Sequence, residues 1–250
     1  EKISSMDCKI DVEVEMNSAG QDLSMAMGGT MTYFQSPMKM KMQLGMNMNV
    51  PDAPSIKEME IYIEEQDEKL MMYMKNPLNE KWTAQELPAD VLKKAKDKNK
   101  DHMKWPLETM SSLSLAEKTE ELSGGEAYKL SGVLSGETIS KMMQTAGVMD
   151  SLESALPEEQ KESIENLYTD FGDLPMTMWV DVKTSYPVKY DMDMTDILSK
   201  SINKALESAG GKASSMTANI KKMAISMEMS NMNKAVAFEI PAEAKAALDS

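Results

Sequence analysis

Between Met38 and Val50 the chain alternates without a fault. Met38, Met40, Met42, Leu44, Met46, Met48 and Val50 hold one phase, and Lys39, Lys41, Gln43, Gly45, Asn47 and Asn49 hold the other. A period of two marks a strand with one apolar and one polar face. At about 3.3 Å per residue the run would reach roughly 43 Å, well beyond the usual strand. Such a strand must curve strongly or break, and Gly45 marks the place for a break.

The same rhythm recurs along the chain. Ile10, Val12, Val14 and Met16 alternate with Asp11, Glu13 and Glu15, and Leu23, Met25 and Met27 with Ser24 and Ala26. Met59, Ile61 and Ile63 follow, then Leu70, Met72 and Met74. Later come Met176 to Val182, Val188 to Met194, Met223 to Met229, and Val236, Phe238 and Ile240. Asn17–Gln21 and Glu65–Lys69 read as hairpin turns. The Gly pairs at 28–29, 124–125 and 210–211 also sit in turn-like contexts. Roughly eight to eleven strands with short turns predict an antiparallel meander.

Helical patterns interrupt it. Thr195 is placed to cap a helix that carries Ile197, Leu198, Ile202, Ala205 and Leu206 on one stripe and stops at Gly210-Gly211. Further helices are predicted from Pro157 through Tyr168, over Ile139–Ala146 and over Pro88–Lys96. Each needs an apolar surface to cover, and the inner face of the sheet is the large candidate. Nothing marks a domain boundary, so the chain reads as one α+β domain over residues 1–250.

The apolar content is unusual in kind: 28 Met stand against 3 Phe and 3 Trp. An apolar strand face is ordinarily core, yet Met specifies a tight core poorly and adapts well to variable partners. Burying one long acyl chain gains on the order of 12 kcal/mol before entropy costs, at ~0.8 kcal/mol per CH₂. Such a pocket needs no polar motif. The formal charge of −14 repels phosphate backbones, which argues against nucleic acid as a partner. Cys8 is the single cysteine, so no intramolecular disulfide forms, and its place in an alternating run suits a half-buried small hydrophobe. No apolar run approaches the ~18 residues a membrane-spanning helix needs.

Chemistry leaves little trace. His102 is the single histidine, and no nucleophile elbow, phosphate loop, dinucleotide fingerprint or zinc-helix motif occurs. No catalytic residue, metal ligand or cofactor is assigned, and the expectation is a protein without enzymatic activity. Asp97, Asn99, Asp101 and Glu108 fall at calcium-loop spacing, but His102 occupies the position that needs Gly, and Pro106 interrupts the loop. The nearby lysines, from Lys93 to Lys104, read as a solvated connector.

Three passages carry a resemblance. "YIEEQDEKLMMYMKNPLNEKW" (Tyr62–Trp82), "MWVDVKTSYPVKYDMDMT" (Met178–Thr195) and "AFEIPAEAKAAL" (Ala237–Leu248) resemble bacterial lipoproteins of the LolA/LppX-like half-barrel type, nearest to envelope lipoproteins of Gram-positive bacteria. The resemblance implies a strongly curved antiparallel sheet covered by helices on its concave face. It also implies secretion, with a lipidated cysteine upstream of Glu1 tethering the protein to the outer face of the cell membrane. Cys8, inside a strand, is not that anchor. The family offers no invariant ligand residues to carry across.

Together these readings predict a monomeric, extracytoplasmic binder of a lipid or another amphiphile. The expected lining is Met38, Met40, Met42, Met46, Met48, Met176, Met178, Met227 and Met229, with Ile197, Leu198 and Ile202 from the covering helix. The alternative is a structural or protein-interaction module of the cell envelope, with the Met face as plain core and no small-molecule ligand.

Overall fold

A computed structural model of the protein describes residues 3–18, 20–49, 56–87, 110–139, 172–208 and 218–249. Twelve strands form one antiparallel sheet: β1 (Ser5–Ser18), β2 (Gln21–Gln35), β3 (Met38–Met48), β4 (Ile56–Gln66), β5 (Lys69–Lys75), β6 (Trp82–Leu87), β7 (Met110–Leu115), β8 (Glu120–Leu122), β9 (Gly125–Leu134), β10 (Leu174–Asp181), β11 (Pro187–Asp193) and β12 (Ala218–Ser230). Their order is β6-β5-β4-β3-β2-β1-β12-β11-β10-β9-β7, with β8 also beside β9. Two meanders are thus joined by the pairing of the first strand with the last. The order runs open from β6 to β7 rather than closing into a ring.

Local chemistry explains the turns. Asp67 and Glu68 both take positive φ (51° and 63°), the two-residue left-handed turn whose twist matches flanking antiparallel strands. Gly20, at φ +82°, serves the β1–β2 hairpin. The β3–β4 register shifts between Leu44 and Met46, so the break expected at Gly45 is a bulge within a strand that ends at Met48.

Gly28 and Gly29, expected in a turn, instead lie inside β2. A Cβ on Gly29 would sit 2.5 Å from Leu44 Cδ2 and 2.6 Å from the Gln43 carbonyl oxygen. Glycine lets the Leu44 side chain lie across the neighbouring strand. The alternation therefore continues past the pair to Met31 and Tyr33.

Two helices are described. α1 (Thr195–Ser208) follows β11, and α2 (Ala242–Ala246) runs into a final 3-10 turn. Thr195, expected as the cap, is the first residue of α1, and its hydroxyl bonds across to the sheet. Its oxygen accepts from the Met223 N–H at 2.9 Å and ties the helix to β12, while the Asp193 carboxylate accepts from the Thr195 N–H at 3.0 Å. Hydrogen bonds to Asp193 from the Thr195 side chain and the Thr195 N–H hold its carboxyl below its usual range. Of the helix expected over 139–146, only the opening turn at 136–139 is described. The stretches 88–109, 157–168 and Gly210-Gly211 lie outside the described residues, and with them the calcium-like spacing and the lysine cluster.

Val236, Phe238 and Ile240 do not form the expected strand; among the described residues they enter no strand pairing, and the segment leads into α2. Ile240 and Ala244 instead form a core with Tyr62 and Tyr73, packed by Phe238, Trp82 and Met71. This core lies on the face of β4–β6 opposite the methionines. The meander's inner face was therefore not the sole apolar surface for a helix to cover. Among the described residues no helix is long and apolar enough to cross a membrane.

Candidate ligand-binding face

Residues directly opposite on adjacent strands share a face, so an unbroken register carries one face across the sheet. In β3, Met40 stands opposite Tyr33, Met42 opposite Met31, Met46 opposite Met27, Met48 opposite Met25, and Met38 opposite Gln35. β2 hands the same face to β1, where Met31 meets Cys8 and Met27 meets Val12. From β1 it passes to β12, with Cys8 opposite Met229 and Ile10 opposite Met227. Met227 faces Tyr190 on β11, Tyr190 faces Met178 and Met192 faces Met176. All the predicted methionines thus project to one side of the sheet.

The covering differs along that side. Met176 and Met178 are 4% and 0% exposed, in a core with Met110, Leu134, Ile139, Leu174 and Ile197 of α1. Met229 is also buried, beside Cys8. Met38, Met40, Met42, Met46, Met48 and Met227 are half-buried, as are Met25, Met27 and Met31 across from them. Ile197 joins the methionines as expected. Leu198 is half-buried and its N–H donates to the Met194 carbonyl at 2.9 Å. The Ile202 side chain lies outside the described residues.

Several residues on this face escaped the sequence reading: Met31, Tyr33, Met110, Leu130, Leu134 and Leu174. Gly28-Gly29 hid the first two, because a glycine pair read as a turn. In β9, Gly132 in the apolar phase and Val133 in the polar one interrupt the alternation that would have exposed Leu130 and Leu134.

The opposite face of the central strands is polar and ion-paired. Asp11, Glu13, Lys189, Asp191, Asp193 and Lys222 border a groove of about 470 Å³ there, and a second of about 620 Å³ runs on past Glu15 toward Asn47. Lys189 pairs with Asp191 at 3.1 Å, Lys9 with Asp11 at 2.7 Å, and Lys222 with Glu13. The Ser226 hydroxyl donates to Asp191 at 2.6 Å. These carboxylates are already engaged with cations and hydroxyls, which does not suit an acid/base pair poised for hydrolysis. Among the described residues, no three His, Cys, Asp or Glu side chains gather as a metal-binding group.

Burial pushes the Cys8 thiol up to about 11, so it stays protonated at neutral pH. Its one described hydrogen bond is a weak one, donated to the Lys9 carbonyl at 3.8 Å. The sequence suggested a half-buried small hydrophobe at this position; the structure buries it further, at 3% exposed.

No curated protein matches the sequence. Among solved structures the chain is similar to LprF from Mycobacterium bovis, at 13% identity and TM-score 0.47, over 96% of this chain and 90% of that one. It is also similar to a DUF1329 family protein from Desulfovibrio piger, at 11% identity and TM-score 0.22, over 94% and 88% of the two chains. A beta-barrel-like protein of domain of unknown function DUF1849 from Brucella abortus aligns at 7% identity and TM-score 0.27, over 91% and 96%. A family model described as a family of unknown function, DUF6612, matches residues 1–249, and the chain belongs to that family.

Proposed function

We propose that this protein is a non-enzymatic, extracytoplasmic binding protein that holds a lipid or similar amphiphile against its methionine face, on the concave side of a half-barrel. The observation that carries the reading is the row of half-buried thioethers on β2 and β3, continuous with the fully packed methionines of β10. Thioethers are polarisable and free to change rotamer, so one face can accept chains of differing length and saturation. The acidic, ion-paired opposite face keeps the protein soluble and turned away from anionic surfaces. Tethering to the outer face of the membrane through an upstream lipidated cysteine follows from the sequence resemblance and completes the proposal.

The test is a titration of delipidated protein with a fluorescent fatty-acid or phospholipid probe. Saturable binding that competes with unlabelled lipid supports the reading; its absence rejects it. The alternative of an interaction module finds support in Leu113 and Leu115 of β7, which are 45% and 61% exposed. That reading expects a partner to be lost on Leu115→Asp with no change in probe binding.

A further inference from the structure

The register also brings sulfur to sulfur. Met42 on β3 stands opposite Met31 on β2, Met31 opposite Cys8 on β1, and Cys8 opposite Met229 on β12. Four sulfur-bearing side chains thus form one row across four adjacent strands, all on the same face. We infer that this row is a binding site for one soft monovalent cation of the Cu(I) or Ag(I) class, held by Cys8, Met31 and Met229, with Met42 next in line. The inference does not rest on the lipid reading.

The chemistry selects the ion. Thiolate and thioether sulfurs are soft ligands that favour Cu(I) over hard, hydrated cations. Opposed Cβ atoms on neighbouring strands lie about 4.5–5.5 Å apart, and flexible Met side chains on both sides of Cys8 can turn their sulfurs toward one point without moving the backbone.

Charge balance selects the valence. Cys8 is the single ionisable group of the four, and its proton leaves to solvent when the metal–sulfur bond forms. One thiolate and one monovalent cation make a neutral site. A divalent ion would leave a net charge among Ile10, Tyr33, Met6 and Met227, the neighbours on this face, where an unpaired charge is costly. Burial supplies a direction of entry. Cys8 and Met229 are 3% and 6% exposed, whereas Met31 and Met42 are half-buried, so the ion arrives from the β3 end of the row.

The full chain, reduced and anaerobic, is titrated with Cu(I) against a chromogenic Cu(I) chelator, with Ag(I) as a second probe. One equivalent per chain is expected, with only sulfur neighbours by X-ray absorption. Cys8→Ser and Met31→Leu should each weaken binding at least tenfold, while Met72→Leu, on the same face but outside the row, should leave it unchanged. Circular dichroism checks each variant's fold, and the volume-conserving Met31→Leu keeps the test alive if Cys8→Ser does not fold. Failure of the wild-type chain to compete, nitrogen or oxygen neighbours, or full affinity in both row variants overturns the site. Fluorescent-lipid binding is measured on the wild-type chain in parallel, so failure of the sulfur row and failure of the lipid reading are read separately.

Discussion

β10, with Met176 and Met178, and β3, with five methionines and Leu44, set methionines at alternate positions on the same face of one sheet, yet the two stretches differ in burial. Met178 of β10 is wholly enclosed and Met176 nearly so, under Ile197 of α1 and beside Ile139 and Leu174. Met40, Met42, Met46 and Met48 of β3 share that face and are only half-buried. Residue type and alternation are alike in both. The difference teaches that alternation identifies a face, while the covering element decides whether that face is core. On β10 Met works as gap-filling core under a helix; on β3 the same side chains are only half-buried, which is the difference the proposed ligand face draws on.

The largest expected effect tests this contrast. Met178→Ala removes a fully enclosed side chain and should cost about 2–5 kcal/mol, read as a lower urea midpoint at constant slope. Met46→Ala should cost less than about 2 kcal/mol, since its site can relax. Equal losses would mean that β3 is packed as tightly as β10.

Next in size is Phe238→Ala, on the other side of the sheet. Its ring lies 5.8 Å from Tyr62 and 6.1 Å from Phe34, with Lys39 Nζ 5.0 Å from its centroid. Losing these contacts should cost about 1–3 kcal/mol, because aromatic pairs and cation–π contacts add to the lost burial. Lipid-probe binding should stay unchanged, because the methionine face is untouched. A shared loss of both would break the separation of the two faces.

An alkaline titration samples both ends together. Burial pushes the phenols of Tyr62, Tyr73 and Tyr190 up to about 12, with Glu60 and Glu64 adding to the effect at the first two. The unfolded chain ionises near 10, so between pH 10 and 12 the folded state binds more protons than the unfolded one. Stability from these groups is therefore complete below about pH 10 and declines as pH rises toward 12. Denaturation midpoints flat across that window would contradict the buried placement of Tyr62 and Tyr73 and the half-buried one of Tyr190. The smallest effect is Lys245→Ala, which removes an ion pair from an exposed lysine to the half-buried Glu64 at 3.4 Å and should cost under about 1 kcal/mol by the same denaturation assay.

Much of this was legible in the residues. Period-two runs located most strands and the shared methionine face, since a side-chain period of two survives translation into any antiparallel partner. What alternation could not supply was pairing. Phe238 and Ile240 alternate like a strand because a segment can bury every second residue with or without a neighbour to bond. Tyr62 and Tyr73 lie between apolar residues and so make their strands apolar on both sides, which was the overlooked signal for a second core beneath α2. Gly29 read as a turn because its role is set by Leu44, a residue 15 positions away in sequence. The sulfur row depends on three registers at once, and no single segment contains that information.

The central claim, that β2 and β3 present a ligand face while β10 presents core, is tested most directly by NMR of protein labelled at the methionine methyl groups. Long-chain fatty acid added to delipidated protein should shift the methyl signals of Met27, Met31, Met42 and Met46 in a saturable way and leave Met178 in place. Signals of β3 that stay fixed at saturating ligand, or that move no more than Met178, would contradict it.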